Sequence, residues 1–175
     1  MADLVITLIG PDRRGIVESV AAAVADHGGN WLEGRMAHLA GKFAGILRVE
    51  VPEDRASALK EALAGLEQAG LRVVAEPGGA AAPPPVRTLE VELLGLDRPG
   101  LVREVSHLLA GMGINVEELA TDVYSAPMSG EAMFRARARV NVPEGLDDHD
   151  LRRRLARLAG DLLFEIRVDD MPPHS

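Results

Sequence analysis

The spacing of apolar residues in the first 76 positions changes period several times. Apolar residues alternate at the start, with Leu4, Ile6 and Leu8 on one face, as in a β-strand. They then recur at helical spacing, and the pair of glycines at 28 and 29 ends that helix. The pattern predicts strands at 4–8, 42–51 and 71–75, and an extended stretch that follows the glycines and ends at about residue 39. It predicts helices at 16–24 and 59–66.

The predicted order, βαββαβ, is typical of the split-βαβ, ferredoxin-like sandwich. Right-handed crossovers place both helices on one face of an antiparallel sheet, with the first strands of the two βαβ halves at its centre. The sequence therefore predicts an α+β fold.

The same pattern occurs twice. Residues 4–33 and 89–118 align without a gap at an offset of 85, and twelve of these 30 pairs are identical. The match resumes at an offset of 91, so the second copy has gained six residues around 125–130. We name residues 1–76 module 1 and residues 87–170 module 2, and expect a Pro/Gly/Ala linker at 77–86 and a tail at 171–175.

The loop after the first strand is the best candidate for ligand binding. It reads Gly10-Pro11-Asp12-Arg13-Arg14-Gly15 in module 1 and Gly95-Leu96-Asp97-Arg98-Pro99-Gly100 in module 2. The aspartate can cap the helix, Pro99 suits a first helical position, and free N–H groups at a helix start attract a carboxylate. A plain capped turn is the alternative interpretation.

We assign each candidate residue a role. The N–H groups of Gly15, Ile16, Gly100 and Leu101 would hold a carboxylate, Asp12 and Asp97 would shape the loops, and Asn30 and Asn115 would contact polar groups of a ligand between modules. The full candidate set is Asp12, Arg13, Gly15, Ile16, Val17, Asn30, Asp97, Arg98, Pro99, Gly100, Leu101, Val102 and Asn115.

The Asp-Arg-Pro-Gly loop, the apolar helix and the following Gly-x-Asn resemble ACT domains, which bind amino acids and regulate metabolism. Two such modules cover the chain apart from linker and tail. The segment 126–130, followed by Phe134, is similar to the second module of glycine cleavage system transcriptional repressors. Arg14 stands where the family pattern expects proline, which predicts a less rigid loop in module 1.

The rest of the composition argues against catalysis and nucleic-acid binding. The chain has no cysteine, its five histidines lack metal-ligand spacing, and no Gly-x-Ser-x-Gly elbow occurs. A formal net charge of −8 disfavours direct contact with nucleic acid. We therefore expect no enzyme activity, cofactor or metal, and no membrane association. We also expect a cytoplasmic location.

The two copies differ on the sheet face away from the helices. In module 2, Arg135, Arg137 and Arg139 should form cross-strand ion pairs with Glu90 and Glu92. In module 1 that face is largely apolar, and we expect another module or subunit to cover it in a homo-oligomer. Its predicted members are Val5, Thr7, Ala44, Ile46 and Val74.

These features favour a non-enzymatic regulator that binds a small amino acid, such as glycine, and modulates a protein partner, for example a transcription regulator. We expect module 1 to serve packing and module 2 to serve recognition. One alternative is a stand-alone ACT protein that regulates an amino-acid or one-carbon enzyme in trans. The other is a pure oligomerisation module.

Overall fold

The computed structural model describes residues 1–80, 87–159 and 165–170. The chain divides into two compact units, Met1–Ala81 and Ala82–Ser175. Most of the expected linker and the whole expected tail lie outside the described residues. No helix in the described ranges is long and apolar enough to cross a membrane.

Within the described residues, each unit carries four strands and two α-helices. Module 1 consists of β1 (Ala2–Pro11), α1 (Ile16–Asp26), β2 (Asn30–Leu39), β3 (Lys42–Val51), α2 (Ala56–Gly65) and β4 (Arg72–Pro77). Short 3-10 turns, Glu53–Arg55 and Leu66–Ala69, flank α2. Module 2 consists of β5 (Arg87–Leu96), α3 (Leu101–Gly111), β6 (Asn115–Ser125), β7 (Ala132–Val142), α4 (Asp148–Ala159) and β8 (Glu165–Asp170).

The sheet topology confirms the ferredoxin-like prediction. The strand orders are β2-β3-β1-β4 and β6-β7-β5-β8, and all neighbours run antiparallel. The first strands of the two βαβ halves are central, as expected. An irregularity occurs at matching points of the edge strands, between Trp31 and Glu33 and between Val116 and Glu118. The duplication is therefore preserved in register as well as in order.

One sheet face and the helices enclose the core of each module. In module 1, alternate β1 residues Leu4, Ile6 and Leu8 are buried against α1 and α2. The α1 residues that face them recur every four positions, at Ile16, Val20 and Val24. Module 2 repeats this arrangement with Leu89, Val91, Leu93, Leu101, Leu109, Leu151 and Leu155.

The opposite face of module 2 carries ion pairs, but only one of them follows the predicted pairing. Arg137 lies 3.6 Å from Glu92 on β5. Arg135 contacts Asp122 at 2.6 Å and Arg139 contacts Glu118 at 3.7 Å, and both acids belong to the edge strand β6. The prediction of Glu90 and Glu92 as the partners was incomplete because the acids of β6 were not considered.

The sheet face of module 1 away from the helices, its open face, is largely apolar as predicted, but it also carries an ion pair between Arg48 and Asp3. Ile46 and Val74 are 50% and 51% exposed, Thr7 is also exposed, and Val5 and Ala44 are half-buried. Cover by a second subunit stays a prediction, since the structure contains one chain.

Candidate functional site

The loop between β1 and α1 ends in a left-handed glycine that starts the helix. Gly15 has φ 85° and is the N-cap, and its carbonyl oxygen accepts the first helical hydrogen bond, from Ser19 N–H at 2.9 Å. Gly100 has φ 89° and accepts from Glu104 N–H at 3.0 Å. The N–H groups of the first helical turn have no partner within the helix, so both loops present free donors.

The aspartates do not cap the helices, and that prediction was wrong. Neither N-cap has a side-chain hydrogen bond, because the glycine rather than the aspartate occupies the cap position. Asp12 N–H donates to Gly41 O at 3.0 Å and Asp97 N–H donates to Ala132 O at 2.9 Å. The Asp12 carboxylate lies 3.3 Å from His38 Nε2. The aspartate N–H groups therefore tie each loop to the neighbouring hairpin.

Pro99 also differs from its prediction. Helix α3 begins at Leu101, so Pro99 precedes the N-cap and is not the first helical residue. Ile16 and Leu101 hold that first position, and their buried side chains pack into the core. Val17 and Val102 follow them and are exposed.

The loop arginine has a different environment in each module. Arg98 donates two hydrogen bonds to Glu104, at 2.7 Å and 2.6 Å. These bonds hold the pKa of the Glu104 carboxyl below its ordinary value, so the pair stays charged at neutral pH. Module 1 has Ser19 at the position of Glu104, and the Ser19 hydroxyl donates to Gly15 O at 2.9 Å. Arg13 therefore lacks the carboxylate that engages its counterpart.

A hollow of about 510 Å³, including its open mouth, lies beside the Gly15 loop. Two guanidinium groups, one carboxylate and the start of α1 meet apolar side chains there. Its lining includes Arg13, Arg14, Gly15, Glu18, Leu66 and Leu71. Sequence reasoning missed the contribution of residues 66–71, because they are distant in the chain and come to the loop only through the turn before β4. Such a hollow can hold a small carboxylate.

The candidate asparagines lie far from the loop of their own module. Asn30 opens β2 and stands opposite Glu50, which is level with Asp3 at the start of β1. The Gly15 loop follows Pro11 at the other end of β1, roughly 26 Å away at about 3.3 Å per residue. Asn115 has the equivalent place in module 2. One module thus does not bring its loop and its asparagine together.

The left-handed glycine gives a first prediction, on stability. Gly15→Ala should lower the free energy of unfolding by about 1–2 kcal/mol, because φ 85° is strained for an L-residue although the space around it is open. Gly65→Ala is the matched control: it lies in α2 with φ −61° and open space, so it should be neutral or stabilising by up to about 1 kcal/mol. Urea titrations followed by Trp31 fluorescence measure both. Equal changes in the free energy of unfolding for the two variants would contradict backbone strain at position 15.

Within the described ranges, no group of three or more His, Asp or Glu side chains is placed to hold a metal ion. Ser129, the serine in the inserted segment, accepts a hydrogen bond from Glu131 N–H at 3.3 Å, as in a turn.

The comparisons with known proteins give a family match for module 1 and similar folds for the whole chain. The ACT domain family matches residues 2–76. A crystal structure of an unknown protein from Galdieria sulphuraria is similar over 98% of this chain and 99% of that one, with 29% identity and a TM-score of 0.81. A structure named "putative glycine cleavage system transcriptional repressor" is similar over 97% of this chain and 98% of that one, with 20% identity and a TM-score of 0.71. No curated protein sequence gives a significant match.

The family match covers module 1 from β1 to β4, and module 2 repeats its strand order, its helix positions and its left-handed glycine. Two solved structures share the fold over both modules. Module 1 therefore matches the ACT domain family, and module 2 repeats the fold of that module.

Proposed function

We propose that this protein is a regulator that binds a small amino acid through the Gly15 loop of module 1 and thereby modulates a protein partner. The ACT family supports the regulatory, amino-acid-sensing role. Both loops present free helical N–H groups, which suit a carboxylate. Binding to one state of a protein more tightly than to another is sufficient to transmit a signal.

The observation that carries the proposal is the hollow at the Gly15 loop. It combines free N–H donors with Arg13 and Arg14, and the residue at the Glu104 position is a serine. In module 2 the equivalent guanidinium is already engaged by Glu104. This contrast favours module 1 as the carboxylate site, the reverse of the role that the sequence suggested for the two modules.

Glycine is the ligand we propose first. The polar groups of the hollow lie at the loop, and they suit the carboxylate and ammonium groups that glycine presents without a side chain. The similar two-module structure named for glycine cleavage regulation supports the same choice. We propose a transcription regulator as the partner, bound through protein contacts, because a net charge of −8 disfavours direct binding to DNA.

Thermal unfolding with and without ligand tests the proposal. Glycine at about 100 times its Kd should stabilise the native state by about 2.7 kcal/mol, which raises Tm by several degrees. Glycinamide, which lacks the carboxylate, is the matched control and should give no shift. Thermal shifts measured with the other amino acids rank them as ligands. Absence of any shift at millimolar concentrations, or an equal shift with glycinamide, would contradict carboxylate binding.

A second candidate function, oligomerisation without a ligand, is favoured by the exposed open face of module 1. Ile46 and Val74 lie on that face and are about half exposed in the single chain. Sedimentation of the ligand-free protein distinguishes the two functions. A stable oligomer combined with no thermal response to any amino acid would favour this second candidate.

A further inference from the structure

An apolar hollow lies between helix α3 and the edge strand β6 of module 2. It contains about 440 Å³, including its open mouth. Its floor is the helix-facing side of β5 and β7, where Leu93, Ala136 and Ala138 are at most 7% exposed. One wall is α3, with Val105 and Leu109.

Module 1 fills the corresponding space with three large side chains. The indole of Trp31 lies against Gly34, with its Nε1 3.1 Å from where a Cβ would stand. The side chain of Met36 lies directly over Gly45 on the neighbouring strand. Leu47 adds a third large group on the central strand, where it is buried. The space between α1 and β2 therefore contains these three large side chains.

Module 2 has smaller residues at these three points. The strand pairs Trp31–Val49, Met36–Gly45 and Gly34–Leu47 correspond to Val116–Val140, Thr121–Ala136 and Leu119–Ala138.

Valine, threonine and alanine thus replace tryptophan, methionine and leucine. Leu119 and Ala136 add bulk where module 1 has glycine, and Leu109 replaces Val24, so part of the lost volume is restored. The two modules therefore share the strand register, and module 2 has less side-chain volume at these points.

We propose that this hollow is a second ligand site, which takes the compact aliphatic group of a small molecule such as the side chain of leucine. Its floor offers only hydrocarbon, so a charged or strongly polar group would lose its hydration there without compensation. The volume of about 440 Å³ includes the open mouth, and the enclosed part is much smaller, so only a compact group can enter. The site lies in module 2 and does not depend on the carboxylate loop of module 1.

The rim argues for a small molecule over a docked protein segment. A docked helix needs a continuous exposed apolar strip, with anchors every three or four residues. Here Val102 and Leu119 are exposed at the mouth, and the polar side chains of Ser106 and Thr121 interrupt the apolar lining. A compact alkyl group can pass between them and reach the buried floor.

Ala138→Leu tests the site by restoring the residue that module 1 has at Leu47. In the full chain, calorimetric titration with leucine and with 4-methylpentanoate should show saturable binding, and the substitution should weaken it at least tenfold. The Tm of the unliganded variant should rise, because the added side chain occupies empty apolar space. The response to glycine should be unchanged, which separates this proposal from the carboxylate site.

Ala132→Leu is the matched control. It adds the same atoms to the same strand at an exposed position outside the hollow, so it should leave leucine binding intact. If Ala138→Leu fails to fold, the pair Thr121→Met with Ala136→Gly reproduces the Met36–Gly45 arrangement and should also abolish binding.

Three results would overturn the proposal. The first is no binding of either aliphatic probe to the unmodified chain at millimolar concentrations. The second is undiminished binding in a folded variant with the hollow filled. The third is a change of oligomeric state on sedimentation when the hollow is filled, which would identify a second protein chain as its occupant.

Discussion

Leu59→Ala is expected to lower the free energy of unfolding by about 2–5 kcal/mol, a larger loss of stability than Gly15→Ala should cause in the same module. Leu59 lies at the middle of α2, is 0% exposed and packs against the sheet face formed by β1 and β3. Its removal takes away hydrophobic contacts and leaves a cavity that the surrounding strands cannot close fully. Since a small domain has only about 5–15 kcal/mol of stability, such a change endangers the whole module.

Urea denaturation followed by Trp31 fluorescence measures this loss where it occurs. Trp31 is the only tryptophan of the chain and packs against the module 1 core. Val74→Ala is the control: it also removes methyl groups, but from a side chain that is 51% exposed, so the expected change is about 0.5 kcal/mol or less. Similar midpoints for Leu59→Ala and Val74→Ala would contradict the assignment of the core.

The fold could be predicted from the sequence because its determinants are local and occur twice. Alternation in β1, helical spacing in α1 and the glycines that follow it each specify one element. The repeat at an offset of 85 supported the order of elements, because the same pattern occurs in both copies. Right-handed connections leave few topologies for the order βαββαβ, and the observed strand order is the expected one.

The site was less predictable because it depends on one-residue shifts and on partners far apart in the chain. The position of Gly15 relative to Asp12 decides which residue caps the helix, and the spacing allowed either. The Ser19/Glu104 difference is visible in the aligned copies, but the Arg98–Glu104 contact requires the loop geometry. The hollow in module 2 depends on the sum of several side-chain volumes across a strand register, which no periodicity reveals.

The alignment of the two copies also provides the sharpest test of the carboxylate site. Ser19→Glu places a carboxylate where module 2 has Glu104, six residues after the loop arginine in both modules. By analogy with the Arg98–Glu104 contact, the new side chain should engage Arg13 and occupy the donors that the ligand needs. Hydrogen bonds to charged groups contribute about 1.5–3 kcal/mol, so glycine affinity should fall roughly tenfold to a hundredfold.

Ser19→Ala is the control for this prediction, because it removes the hydroxyl that donates to Gly15 O without adding charge. Its glycine affinity should stay within about twofold of the unmodified chain, since an exposed hydroxyl bond contributes little. The reciprocal change, Glu104→Ser, releases Arg98 and should add a second, weaker glycine site in calorimetric titration. If Ser19→Glu folds normally and binds glycine as tightly as Ser19→Ala does, Arg13 is not part of the site and the proposed assignment to module 1 is wrong.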